Sequence, residues 1–201
     1  RISLTVGSWQ NFKTTNSNLL SHNINDLATT PDGLLWAALG DAGLAYFDGA
    51  SWSSLQALGG ISLDRADWLA TGSDGALWVS GRFEGHRWMK FENGVGEIID
   101  FPEDATSFRE DFAVADDGIL FSVAKMGEGM PISLVRYDGE NWSVVTPESL
   151  GLPAGTRVYD IEQDSEGRVY MLFSLFSPQV SALGIYEEGT FEMIPVPAIV
   201  N

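Results

Sequence analysis

Hydrophobic and polar residues alternate along this chain in short runs separated by acidic and glycine residues. In one run Leu44 and Tyr46 are apolar, and in another Ile119, Phe121 and Val123 are apolar. A period of two residues is typical of strands with one buried face. Acid–glycine pairs between such runs favour tight turns, because glycine tolerates a positive φ and the acid bonds nearby backbone. No long stretch has the period of an amphipathic helix, so the pattern predicts an all-β protein.

One turn occurs four times, and each time an aromatic residue stands three positions after its glycine. The four pairs are Gly33 with Trp36, Gly75 with Trp78, Gly118 with Phe121 and Gly167 with Tyr170. The spacing of 42, 43 and 49 residues leaves room for four short antiparallel strands in each repeat. Four strands per unit of this length are typical of a β-propeller blade. We assign the recurring aromatic residues to packing between blades.

The repeat predicts a single β-propeller domain over 1–201, with four complete blades. Their ranges are 13–55, 56–99, 100–146 and 147–197, and 1–12 matches the third and fourth strands of a preceding half blade. The ring is therefore expected to have four or five blades, or to be an arc of a larger propeller. Because the chain starts at Arg1 and has no apolar leader, we expect a removed leader or further flanking sequence.

The first repeat carries a longer motif than the turn alone. It consists of Trp9, Asn16, Ser17, Leu19, Ile24, Asp32, Gly33, Leu35, Trp36, Gly43, Leu44, Phe47, Asp48, Gly49 and Trp52. This motif resembles the two-component regulator propeller repeat of bacterial extracellular sensors and secreted proteins. The resemblance implies a propeller fold, an extracellular or periplasmic location and, as in the sensors of that family, carbohydrate binding. These motif residues serve packing and turns, so the resemblance says more about fold than about function.

Composition excludes several classes of protein. The chain has 28 acidic and 11 basic residues, a net charge of −17, and should repel nucleic acids. It contains no cysteine, which excludes disulfides, thiol nucleophiles and thiolate zinc sites. A hydrophobic content of 44% excludes a disordered chain. The uncharged stretch 169–186 contains proline, glycine and several serines, so we interpret it as strand, loop and strand rather than as a transmembrane segment.

Four acids precede the turn glycines by seven or eight residues, where each inner strand should begin. They are Asp26, Asp67, Asp111 and Asp160. A ring of carboxylates at the mouth of the central channel could bind Ca²⁺, which takes six to eight oxygen ligands. The alternative is four separate carboxylates that cap local backbone, and the sequence favours it. We therefore predict no cofactor and keep Ca²⁺ as the one metal that these residues could hold.

The connections between the second and third strands lengthen in repeats 2 to 4, and insertions of this kind often mark a binding face. The predicted binding residues on this face are Arg82, Phe83, His86, Arg87, Trp88, Lys125, Met126, Met130 and Phe176. Bases are unexpected on so acidic a chain and could grip a carboxylate or sulfate. Methionine and aromatic side chains would suit a protein partner. The alternative is a solvated loop whose arginines pair with local acids.

The chain has two histidines, His22 and His86, and no motif of a catalytic triad, metal site or phosphate loop. The sequence therefore predicts a non-catalytic interaction module outside the cytoplasm, which binds a protein partner or joins a larger complex. Two alternatives remain open. One is a carbohydrate-binding propeller that uses the same face, and the other is a lyase or hydrolase centred on His86 with Arg82 or Arg87.

Overall fold

The computed structural model describes residues 10–83, 86–100, 105–126, 132–176 and 179–195. Within these ranges it describes the backbone alone at 86–87, 106–111, 126, 132, 175–176, 179–181 and 195. Four antiparallel sheets of four strands are arranged as a β-propeller, which confirms the predicted fold. The predicted half blade at 1–12 lies almost entirely outside the described residues.

Each blade follows chain order from its inner to its outer strand. Blade 1 contains β1 to β4: Asp26–Thr29, Leu35–Ala38, Leu44–Phe47 and Trp52–Leu55. A small hairpin follows, made of β5 and β6: Ala57–Leu58 and Ile61–Ser62. Blade 2 contains β7 to β10: Arg65–Thr71, Leu77–Phe83, His86–Glu92 and Val95–Ile99.

Blade 3 contains β11 to β14: Ala105–Val114, Leu120–Met126, Ile132–Tyr137 and Trp142–Val145. One turn of 3-10 helix, Pro147–Leu150, leads to blade 4. Blade 4 contains β15 to β18: Arg157–Gln163, Val169–Phe176, Gln179–Glu187 and Thr190–Pro195. The uncharged stretch 169–186 thus forms β16 and most of β17, as predicted. No helix in the described part of the chain is long and apolar enough to span a membrane.

Three hydrophobic cores lie between neighbouring blades. We call the face that a blade turns toward the following blade its leading face, and the opposite face its trailing face. The core between blades 1 and 2 includes Trp36, Ala38, Leu44, Leu69, Val79 and Phe83. The core between blades 2 and 3 includes Trp78, Trp88, Ile99, Phe112 and Leu120. The core between blades 3 and 4 includes Phe121, Val123, Leu134, Ile161 and Met171.

Three of the four recurring aromatic residues belong to these cores, whereas the prediction is wrong for Tyr170, which is half-buried on blade 4 and donates its hydroxyl to Asp164. Trp36, Trp78 and Phe121 are buried on the leading faces of blades 1 to 3. The rings of Trp36 and Phe91 are 6.3 Å apart across the first interface, and those of Phe121 and Tyr186 are 4.7 Å apart across the third. Aromatic side chains supply a large apolar area, so a repeated aromatic position stabilises the stacking of blades.

Tight turns close the hairpins, and glycine is required where the backbone is crowded. Gly43 has a φ of +78°, and a Cβ atom there would lie 2.5 Å from the carbonyl oxygen of Leu55. The turn before it is short because Gly43 donates its N–H to the carbonyl oxygen of Gly40. Only glycine combines this conformation with so close an approach of two strands.

Within the described residues, the arc of four blades is open at its two ends. No core in the described part of the chain joins blade 4 to blade 1. The outer part of the trailing face of blade 1 is covered instead by the segment before β1, through Phe12 and Leu19. This segment takes the place that Leu58 and Ile61 take on the trailing face of blade 2.

Candidate functional site

The two ends of the propeller differ in charge. The end where β1 turns into β2 and β3 into β4, with its equivalents in the other blades, is termed the turn face. Its acids are Asp32, Asp48, Asp74, Glu92, Asp116, Asp117, Asp138, Glu140, Asp164, Glu166, Glu187 and Glu188. Two of the few bases at this end are paired with these acids, since Lys90 bonds Asp74 at 2.8 Å and Arg168 bonds Asp164 at 2.7 Å.

The opposite end, where the second strand of each blade turns into the third, is termed the hairpin face. The bases Arg65, Arg82, Lys125 and Arg157 stand at strand ends on this face, and Arg87 follows the start of β9. In strand register Arg65 lies opposite Arg82, and Arg157 lies opposite Ser174. The hairpin face is therefore much richer in bases than the turn face of the same chain.

The hairpins of this face have unequal heights. The second strand has four residues in blade 1, and seven, seven and eight residues in blades 2, 3 and 4. Because a strand rises about 3.3 Å per residue, the second strands of blades 2 to 4 are roughly 10 Å longer than that of blade 1. Their tips at 84–85, 127–131 and 177–178 lie outside the described residues.

A recess of about 410 Å³ lies beside the short connection of blade 1. It is lined by the polar side chains of Asn25, Asp41 and Arg65. The Arg65 Nε donates to Oδ2 of Asp67 at 2.6 Å, and its Nη1 lies 3.3 Å from Oδ1 of Asp41. Arg82 extends into solvent nearby, with its Nη2 3.9 Å from the same Asp41 oxygen. Two arginines thus share one exposed carboxylate.

Asp67 anchors this arrangement from below. Its side chain is only 4% exposed, and it also accepts a 2.9 Å hydrogen bond from Asn25 Nδ2. A buried carboxylate is stable only when charged and polar partners compensate its lost hydration. The hydrogen bond and charge of Asp67 raise the pKa of Arg65 further above its ordinary value. Arg65 therefore remains a cation and fixes the edge of the recess.

The predicted binding residues have different surroundings. Arg82 is exposed, Lys125 is half-buried, and Phe83 and Trp88 are buried within the inter-blade cores. The Trp88 ring stacks on Trp142 with the centroids 4.9 Å apart. Phe83 and Trp88 therefore support the hairpin of blade 2 from within instead of facing solvent.

The other predicted side chains remain predictions. His86 and Arg87 belong to β9, Met126 ends β12 and Phe176 ends β16, so all four lie at the hairpin face, but only their backbone is described. Met130 lies outside the described residues. The structure thus places His86, Arg87, Met126 and Phe176 at the hairpin face, and their binding role stays a prediction.

The inner strands surround a cavity of about 1000 Å³, the central channel. Near the start of β1, Asp26 Oδ2 accepts a 2.7 Å hydrogen bond from the Leu69 N–H of blade 2. Farther along, Gln163 Oε1 accepts from the Val114 N–H, and its Nε2 donates to the Thr71 carbonyl, both at 3.1 Å. One side chain of blade 4 is therefore bonded to both blade 2 and blade 3.

The acids predicted to form a ring do not converge within the described part of the chain. Asp26 and Asp67 are engaged by backbone and by Arg65, as described above, and the side chain of Asp111 is not described. No group of three His, Cys, Asp or Glu among the described residues could hold a metal ion. The Ca²⁺ site stays a prediction that these contacts do not support.

Sequence reasoning missed Asn25, Asp41, Arg65 and Gln163. The bases were sought in the long connections, whereas Arg65 stands at the start of an inner strand. A usable signal was the alternation of charges from Asp64 to Asp67, which places Arg65 between acids just before a strand. For Gln163 no sequence signal was present, because its partners are 49 and 92 residues away.

Solved structures with a similar fold are propeller enzymes. A catalytically inactive virginiamycin B lyase from Staphylococcus aureus, solved with quinupristin, has a TM-score of 0.56 at 14% identity. The match covers 90% of this chain and 59% of that one. A streptogramin B lyase gives a TM-score of 0.53 at 14% identity, and covers 87% and 55% of the two chains. At this identity the likeness shows the fold alone.

The chain spans somewhat more than half the length of the propellers it matches. No protein-family model matches the chain, and no curated protein matches its sequence. The resemblance to two-component regulator propellers is thus supported at the level of the propeller fold. Four blades of this chain follow part of a longer propeller chain in each of the two lyases.

Proposed function

We propose that this chain is a non-catalytic propeller module that binds a protein partner through its hairpin face. The observation that carries the proposal is that the three longer hairpins lie at the same end of the propeller as a recess lined by Asp41 and Arg65. Insertions confined to one face of a repeat protein commonly form its binding surface. A recess at this face suits a protruding segment of a partner.

The charge distribution supports the choice of face. The turn face is dense in carboxylates, which repel acidic partners and favour solubility. On the hairpin face, Arg82 and Arg157 are exposed, and the Arg82 Nη2 lies 3.9 Å from Asp41 Oδ1. A partner with an acidic or mixed-charge surface would therefore be oriented with its contact region toward the hairpin face.

We also propose that this chain is a bacterial protein with an extracellular or periplasmic location. We further propose that its blades belong to the two-component regulator propeller repeats. Both are supported by the motif from Trp9 to Trp52. An enzymatic role is the weaker alternative, because a fold can be shared without its chemistry. Of the two histidines, His22 is bonded to Thr14 at 3.2 Å in the segment before β1.

Charge reversal tests the binding face. The double variant Arg82→Glu/Arg87→Glu should lose at least about tenfold in affinity for a partner recovered by crosslinking in the extracytoplasmic fraction, since rim charges govern encounter and orientation. Lys13→Glu, an equal charge change per residue on the exposed segment before β1, is the matched control. Equal recovery of the partner by wild type and the double variant would remove the hairpin face as the binding surface.

A separate measurement addresses the alternatives. Calorimetry with neutral and acidic oligosaccharides should give no binding heat if the module recognises protein only. Heat that disappears in Arg82→Glu/Arg87→Glu would instead support a carbohydrate site on the same face. Turnover of a lyase substrate that is lost in His86→Ala would establish the enzymatic alternative.

A further inference from the structure

Blade 4 presents an apolar leading face that nothing covers in the described part of the chain. Leu172, Leu183 and Ile194 stand side by side across β16, β17 and β18 in consecutive strand register. Leu172 is 38% exposed and Ile194 is 41% exposed. Exposed aliphatic side chains occur on most proteins, but a continuous row across three strands is unusual.

Residues at the same repeat position in blades 1 to 3 show how the position of Leu172 is normally used. The residues equivalent to Leu172, each five positions after its turn glycine, are Ala38, Ser80 and Val123, and none is more than 2% exposed. Ala38 and Val123 belong to the cores that join their blades to the following blades. Leu172 differs in that no blade follows it within the described part of the chain. The leading face of blade 4 thus has the composition of a blade interface and lacks the partner.

A hydrogen-bonding group on the same face also lacks its partner. Asp26 and Asp160 both stand seven positions before their turn glycines, and each accepts an N–H from the next residue on Oδ1. The Oδ2 of Asp26 accepts the Leu69 N–H of the following blade. Among the described residues, the Oδ2 of Asp160 has no such donor. It is an acceptor placed where the inner strand of another blade would pass.

The other end of the arc carries the complementary groups. Blade 2 packs on blade 1 through Leu69, which is 8% exposed, and through Thr71, whose Oγ1 donates to the Thr29 carbonyl. At the same repeat positions β1 has Leu27, which is 51% exposed, and Thr29, which is also exposed. The inner strand of blade 1 therefore offers to an incoming blade the same leucine and threonine that blade 2 uses.

We propose that the leading face of blade 4 docks on the inner strand β1 of a second copy of this chain. Two copies joined in this way at both ends form a closed ring of eight blades with twofold symmetry. Eight blades lie within the usual range of propellers, and twofold dimers are the commonest oligomers. The likeness to part of a longer propeller chain agrees with an arc whose curvature belongs to a ring larger than four blades. This proposal is independent of the hairpin face.

The association state at increasing concentration tests the proposal. By analytical ultracentrifugation up to about 100 µM, wild type should form a dimer of twice 21.9 kDa. Leu172→Asp and Leu27→Asp should each weaken dimerisation by about 100-fold or more, because each places a charge in an apolar contact. Val95→Asp, at another exposed aliphatic residue in β10, should leave the dimer intact.

A mixture of the two variants distinguishes docking from misfolding. A mixed dimer contains one interface between the unchanged blade 4 of Leu27→Asp and the unchanged β1 of Leu172→Asp. An equimolar mixture should therefore recover part of the dimer, although neither variant dimerises alone. A wild type that stays monomeric throughout, a dimer resistant to both substitutions, or a mixture without recovery would each overturn the proposal. Arg82→Glu should have no effect on this dimer, which separates it from the binding proposed at the hairpin face.

Discussion

Replacing Gln163 by leucine removes the side chain that bonds blade 4 to two other blades. The change deletes an acceptor for the Val114 N–H and a donor to the Thr71 carbonyl. A typical intramolecular hydrogen bond contributes about 1 kcal/mol net to stability. Thr71 lines the central channel, where water can replace the lost bond, whereas Val114 is buried, so we expect a loss of at least about 2 kcal/mol for the pair.

Equilibrium unfolding by heat or urea, followed by tryptophan fluorescence, measures this loss. For a chain of this size about 2 kcal/mol corresponds to a fall in Tm of roughly 4–8 °C. Hydrogen exchange gives a local readout, because the Val114 amide loses its protein acceptor and should exchange faster. Gln56→Leu makes the same chemical change on the exposed surface and should alter stability by less than about 0.5 kcal/mol.

The reasoning would be refuted if Gln163→Leu unfolded within about 0.5 kcal/mol of wild type while the Val114 amide kept its protection. Thr71→Val offers a second check on the same interface network. It removes a single 2.8 Å hydrogen bond to the Thr29 carbonyl, with little change in volume. Its expected loss is about 1 kcal/mol, half of that for Gln163→Leu.

Three further predictions concern turns and strands. Gly81→Ala places a new Cβ against the backbone of β7 and should lower the free energy of unfolding in urea by more than about 2 kcal/mol. Gly118 has a φ of +82° with open space around it, so Gly118→Ala should lower that free energy by only about 1 kcal/mol. The backbone N–H groups of the turn at Asn141 and Glu140 lower the pKa of Asp138 below 3.8. The ionised Asp138 therefore stabilises the fold above pH 3.8, and this stabilisation is lost as the pH falls below that value. We expect Asp138→Asn to reduce the loss of stability that wild type shows at acid pH. Tyr186→Phe deletes a 2.7 Å hydrogen bond to Asp117 and should cost about 1–2 kcal/mol. Burial raises the pKa of Tyr186 above 10.0, so wild type should lose this stabilisation as the pH rises past that value, while the phenylalanine variant should show no such loss at alkaline pH.

The fold was predictable because the residues that define each repeat lie close together in the sequence. Each turn glycine with its aromatic neighbour lies within a few residues of sequence, and the chain repeats this signal four times. Period-two alternation then gives the strands between the turns, including the uncharged stretch that became β16 and β17. The burial of Trp36 and Phe121 between blades followed from the same repetition, since an aromatic residue at a fixed place in every blade must meet the next blade.

The candidate site was predictable only as a region. Connection length marks the hairpin face, and Arg82 is exposed there as expected. Sequence could not show that Phe83 and Trp88 point into the cores, because the hairpin of blade 2 contains register shifts that change the alternation. Nor could it show that Arg65 and Arg82 share Asp41, since that contact joins two different blades.

The sequence by itself determined the number of complete blades, their strand order and most of the recurring aromatic residues of their cores, because these depend on short periodic patterns. Only the tertiary structure decided which contacts join distant blades and which faces remain open. Gln163 meets Thr71 across 92 residues, and Asp26 finds its donor in another blade. Leu172 and Val123 occupy the same position of the repeat, yet one is exposed and the other buried. The difference is physical: burial depends on what packs against a face, and no residue in a repeat encodes the presence of its neighbour.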